Sequence, residues 1–212
     1  MNALILVDIQ NDFLPGGALA VPDGDAVVPV ANALAGEGFD VVAATQDWHP
    51  AGHGSFASQH PGRKVGDVVE LHGLQQVLWP DHCVEGTAGA RFASGLAAKR
   101  IDRVVRKGTD PGIDSYSTFF DNAHRKATGL ADYLRERGVG AVFLAGLATD
   151  YCVRFSALDA VELGFRAHVV LDGCRGVELA AGDVERAVGE MAAAGVRMLE
   201  AADVPAVLGR EG

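Results

Sequence analysis

Basic excess, paired cysteines and long apolar runs are all missing from this 212-residue chain. Eighteen Lys and Arg stand against 28 Asp and Glu, a formal charge of −10. That balance argues against a nucleic-acid or anionic-membrane partner, because both require a basic face. No apolar run reaches the length needed to span a bilayer, and no basic segment precedes the first apolar stretch, so neither a membrane span nor a signal peptide is expected. Cysteine is scarce: Cys83, Cys152 and Cys174 make an odd count without C-x-x-C spacing. Reduced thiols in a cytoplasmic protein are expected, not a disulfide framework or a structural zinc site. Internal repeats, linkers and low-complexity tracts are absent as well, leaving one domain over residues 1–212.

What is present alternates. Short runs at 3–7, 41–45, 103–107, 141–145, 166–171 and 196–199 read as strands, the first buried on both faces and the fourth a buried parallel strand. Helical spacing falls between them, at about 26–36, 124–137, 155–164 and 180–194, with Gly138, Gly164 and Gly195 as stops. This order implies an α/β fold, a doubly wound, mostly parallel six-stranded sheet with helices on both faces. Residues 46–87 and 108–122 lack periodicity, and loops of that length inside a compact domain are usually functional. Residues 209–212 are expected to fray.

In open parallel sheets, ligands bind beyond the carboxyl ends of the strands. Ionisable residues collect there. Asp8 closes the first strand, Asp47 and His49 follow the second, Lys107 closes the third, and Cys152 follows the fourth at a strand-to-helix turn. Helix-start amides favour a thiolate and can receive an oxyanion. A buried structural cysteine is the competing reading. Asp8 is the candidate base for such a thiol, and Lys107 the cation that steadies both. Alone, either would pass for a loop-capping carboxylate or a solvated strand-end lysine.

Asp47 and His49 stand at i, i+2, on one side of an extended segment, and His82 offers a third ligand. One carboxylate and two imidazoles suit a divalent transition metal with exchangeable waters. His53 and His60 share the same loop and read as ordinary hydrogen-bonded histidines. Phe13, Trp79 and Tyr116 fall in irregular segments, where they could grip a flat ring or simply cover the sheet edge.

Together, Val7–Phe13 (D-x-Q-N-D-F), Thr45–Pro50, Trp79–Cys83, Lys107-Gly108 and Gly146–Val153 (G-x-A-T-D-x-C-V) resemble the nicotinamidases, which are isochorismatase-like cysteine hydrolases. The resemblance runs in order from Met1 to about Glu178. It implies an Asp8–Lys107–Cys152 triad that hydrolyses nicotinamide, and pyrazinamide-like analogues, through a thioester, feeding NAD salvage. It implies an oxyanion hole at the Ala148 and Cys152 amides, with a cis peptide at Leu147-Ala148. Asp47, His49 and His82 would hold one divalent ion, zinc ahead of iron or manganese, that grips the ring nitrogen. His53 or Glu70 is left open as a further ligand. Phe13, Trp79 and Tyr116 would sandwich the ring. The partner implied is a small molecule, with room for a homo-oligomer.

Three rivals stand beside this. A relative cleaving a carbamoyl compound would not need the metal motif. A non-catalytic member would have lost Asp8, Lys107 or Cys152. A redox-sensing thiol protein would need a resolving cysteine near Cys152.

Overall fold

A computed structural model of the chain describes residues 1–211, with side chains through Gly209. All the expected strands form: β1 (Asn2–Val7), β2 (Val41–Asp47), β5 (Arg103–Lys107), β6 (Ala141–Leu147), β7 (Arg166–Arg175) and β8 (Arg197–Leu199). They build one six-stranded sheet in the order β5-β2-β1-β6-β7-β8. Every neighbouring pair in it is parallel. The chain steps outward from β1 through β2 to β5, then returns to lay β6 against the other side of β1. That reversal makes the β1/β6 boundary the switch point, with its crevice at the carboxyl ends.

Side-chain alternation along the strands feeds two cores. Leu4, Leu6, Phe143 and Ala145 pack with Val27, Ala31 and Leu34 of α1 (Val27–Leu34) and with Val204 and Val207 of α5 (Val204–Glu211). Ala3, Ile5, Val7, Val142 and Leu144 pack on the opposite face against α2 (Leu130–Glu136), α3 (Arg154–Glu162) and α4 (Asp183–Ala193). Leu4, Ile5 and Phe143 are fully buried. Each such large apolar side chain contributes about 1.5–3 kcal/mol of burial. Gly146 is required where β6 meets β1, because a Cβ there would lie 2.1 Å from the Val7 carbonyl oxygen.

Three expectations need correction. The helix placed at His124 starts at Leu130, because Asp121 Oδ1 instead accepts the amides of Ala123 and Arg125 and folds that stretch into turns. The irregular 46–87 region contains an antiparallel hairpin, β3 (Val68–Leu71) with β4 (Leu74–Val77), whose mixed polar sequence hides its period. Helix α5 was not expected, although Glu200 and Asp203 form a capping box just before it. Of the terminal residues 209–212, Gly212 lies outside the described residues, and α5 runs to Glu211.

Candidate active site

Strand order brings the ionisable residues together. Lys107, Asp47, Asp8 and the turn bearing Cys152 hang from β5, β2, β1 and β6, which lie side by side. Asp47 and Lys107 are direct partners in the β2–β5 register. Past β6, the Leu147-Ala148 peptide is cis, and a wide helical turn over Thr149–Val153 leads into α3. Cys152 sits in that turn with 6% of its surface exposed.

Lys107 is the hub. Its Nζ donates to Asp47 Oδ1 at 2.5 Å, to the Ser115 carbonyl at 2.9 Å and to Cys152 Sγ at 3.4 Å. Asp8 Oδ2 lies 2.8 Å away and adds a second negative neighbour. Burial works against charge on Lys107, but the Asp47 and Asp8 carboxylates outweigh it and push its pKa well up. Lys107 is therefore an ammonium inside the protein and not the solvated strand-end lysine of the competing reading. Burial pulls the other way at Asp8, raising its carboxyl pKa even though Lys107 opposes the shift. Asp47 stays well below the usual carboxylate range: burial would raise it, but Lys107 and His49 prevail.

The thiolate expected at the helix start does not follow. Burial pushes the Cys152 thiol well up, and Lys107 only partly offsets it. The Asp8, Asp47 and Cys152 ligand atoms all lie within 4.8 Å of one another, so carboxylates stand beside the thiol.

The two imidazoles are oriented by backbone. His49 Nδ1 bonds the Gly108 carbonyl at 2.9 Å and His82 Nδ1 the Pro80 carbonyl at 2.8 Å. Such bonds place the proton on Nδ1 and leave Nε2 as a lone pair. The two Nε2 atoms lie 3.7 and 3.8 Å from Asp47 Oδ2. His49 Nε2 is buried without a hydrogen-bond partner among the described residues. Parallel pairing of His49 with Val84 draws the two motifs together. Gly108 permits the approach: its φ is +64°, and a Cβ would lie 2.3 Å from the His49 ring.

His53 is not an ordinary loop histidine. It is fully buried, its ring is 4.3 Å from that of His49, and its Nδ1 is 2.7 Å from Ser55 Oγ. With Asp114 it forms a second group converging on His49, whereas Glu70 is exposed on β3. His60 does bond a loop carbonyl, that of Gly54.

A cleft opens onto Cys152, Asp47 and His82, with Phe13, Trp79 and Tyr116 all on its wall. Sequence reasoning missed Leu19, Asp114, Tyr151 and Val177, which also line it. Tyr151 packs edge-on against Trp79 at 4.8 Å, and its place beside Cys152 in the G-x-A-T-D-x-C-V stretch was the signal available. Trp79 Nε1 donates to the Tyr116 hydroxyl at 3.1 Å, fixing two walls against each other.

Known proteins share this arrangement. Over 205 residues the chain is 50% identical to the nicotinamidase of Escherichia coli, covering 95% of this chain and 96% of that protein. The solved structure of an Acinetobacter baumanii nicotinamidase/pyrazinamidase superposes with a TM-score of 0.92 at 46% identity, covering 96% and 97% of the two chains. A pyrazinamidase of Pyrococcus horikoshii, solved in complex with zinc, matches with a TM-score of 0.75 at 37% identity, over 94% and 98%. The isochorismatase domain matches residues 2–203. By its fold, by these relatives and by that match over nearly its whole length, the chain belongs to the isochorismatase domain family.

Proposed function

We propose that this protein is a nicotinamide amidohydrolase, converting nicotinamide and water to nicotinate and ammonia, and that it also hydrolyses pyrazinamide. One observation carries the reading: the Cys152 thiol on the wall of an aromatic-lined cleft is backed by the buried Lys107 ammonium at 3.4 Å, which in turn holds the buried Asp8 carboxyl at 2.8 Å. The three donors beside it fit a divalent ion, because both imidazoles present Nε2 towards Asp47 Oδ2. Asp47, His49 and His82 would hold that ion, zinc by analogy with the Pyrococcus horikoshii protein. When bound, it supplies a Lewis-acid hold on the pyridine nitrogen.

Phe13, Trp79 and Tyr116 clasp the ring, directing the carboxamide at Cys152. Asp8 takes the thiol proton as Sγ attacks the carbonyl carbon, and the Ala148 and Cys152 amides receive the developing oxyanion. The same proton then goes to the leaving nitrogen, and ammonia departs from a thioester. Water attacks next, again giving its proton to Asp8, and Cys152 leaves with that proton restored. Lys107 stays charged throughout and steadies each negative centre. A positioned acid–base group contributes about 10²–10⁴-fold, and each oxyanion donor about 10²–10³-fold.

The reaction places the enzyme in NAD salvage. Three unpaired buried thiols support a reducing, cytoplasmic setting. Among the described residues no helix is long and apolar enough to cross a membrane.

Ammonia release from nicotinamide by the purified protein, measured before and after chelation and with metal restored, tests the reading. Release that falls with chelation and returns with zinc is expected. Release indifferent to metal would point to another amide, and none under either condition would remove the amidase.

A further inference from the structure

Thr45 has no part in the reaction as described, yet it grips the base. It lies on β2, fully buried. Its hydroxyl accepts the Asp8 amide at 3.2 Å and donates to Asp8 Oδ1 at 2.7 Å. One hydroxyl can do both at once, having one proton and two lone pairs. Asp8 needs the anchor, because its φ of 47° lies in the left-handed region that non-glycine residues seldom occupy.

The two carboxylate oxygens of Asp8 are treated differently. Oδ1 holds the Thr45 hydroxyl. Oδ2 is buried and has no aligned hydrogen-bond donor among the described residues, although Lys107 Nζ is 2.8 Å away. The three N–H groups of that ammonium are spent on Asp47, Ser115 and Cys152. Oδ2 thus faces the Lys107 ammonium, while Oδ1 is held by Thr45.

We propose that Thr45 is the positioning residue for proton transfer. By tying down Oδ1 it presents Oδ2 alone as the oxygen that takes the proton from Cys152 and hands it to the leaving nitrogen. The inference rests on the amidase reading.

The test compares Thr45→Val and Thr45→Ser in the full zinc-loaded chain, reading kcat, KM, zinc content and alkylation of Cys152 by iodoacetamide. In the valine variant kcat should fall about tenfold or more, a share of what a positioned base contributes, with KM within about twofold. Zinc content should stay at the wild-type level. Alkylation should slow in parallel, and the serine variant should restore both rates. Unchanged kcat and alkylation in Thr45→Val would overturn the proposal. So would a loss of zinc or of folding that serine fails to rescue, which would make Thr45 a strand residue only. Wild-type protein that releases no ammonia would sink the amidase reading instead, and the alkylation rates would still decide the role of Thr45.

Discussion

Two regions build this site, and they are held by different means. The groups proposed to react hang from four adjacent parallel strands. Their spacing follows from sheet register, as the Asp47–Lys107 pairing shows. The proposed ring wall draws Trp79, His82, Asp114 and Tyr116 from the irregular 46–87 and 108–122 segments, beside Phe13 and Tyr151 from the turns after β1 and β6. Single bonds hold the loop part: His82 to the Pro80 carbonyl, Trp79 to the Tyr116 hydroxyl, Gln76 to Asp114. Register is cooperative and hard to shift, whereas each wall bond can be lost alone. Damage to the first region should therefore strike chemistry, and damage to the second should strike binding.

Cys152→Ala against His49→Ala separates the two most sharply. Without the thiol, turnover should fall by more than about 10³-fold, as no thioester can form. Zinc content, measured on the same sample, should be unchanged. His49→Ala should instead lose zinc and raise KM first, because it removes a ligand and not the nucleophile. Appreciable turnover in the cysteine variant would end the thioester mechanism. Full zinc in the histidine variant would end the ligand assignment.

Lys107→Met tests whether the strand-end cluster also carries stability. The substitution keeps the stem and removes a buried charge that balances two carboxylates. Breaking a buried ion pair from one side costs about 3–5 kcal/mol, so chemical denaturation should show a loss of that size along with the activity. A stable, inactive Lys107→Met protein would mean that the carboxylates find other compensation.

These two regions also mark how far the sequence could be read. Continuous apolar runs ending in Asp8, Asp47 and Lys107 announce strands and their chemistry together, and parallel order does the rest. Cys152 stands at the expected strand-to-helix turn, but its burial was not legible, because that depends on what the loops later cover. Nothing local shows that Asp114 folds over the cleft, or that His53 is buried beside His49. The β3–β4 hairpin escaped because it is largely exposed, and apolar alternation marks only a strand with one face in a core.

The pH profile probes the strand-end group without mutation. Burial raises the Asp8 carboxyl above its ordinary 3.8, with Lys107 opposing. The base must enter as carboxylate, so activity is present above the raised pKa and is lost as pH falls through it. The acid limb of kcat/KM should therefore lie above 3.8 in nicotinamide hydrolysis. A limb at or below that value would assign it to another group.

The smallest expected effect belongs to the wall. Gln76 is the buried side chain of the β3–β4 hairpin, and its Nε2 lies 3.1 Å from Asp114 Oδ2 and 3.0 Å from the Tyr116 hydroxyl. It thereby joins an exposed hairpin to one face of the ring clasp. Gln76→Leu keeps much of the volume and removes these contacts together with the one to the Val77 carbonyl at 2.7 Å, a hydrogen bond being worth about 0.5–1.5 kcal/mol net, more where a charge takes part. Only part of that reaches the substrate, because Trp79 still holds Tyr116. KM for nicotinamide should rise severalfold, a factor of ten corresponding to about 1.4 kcal/mol, while kcat stays within about twofold. A fall in kcat at constant KM would place Gln76 with the reacting groups, and the division between a register-held centre and a bond-held wall would then be drawn in the wrong place.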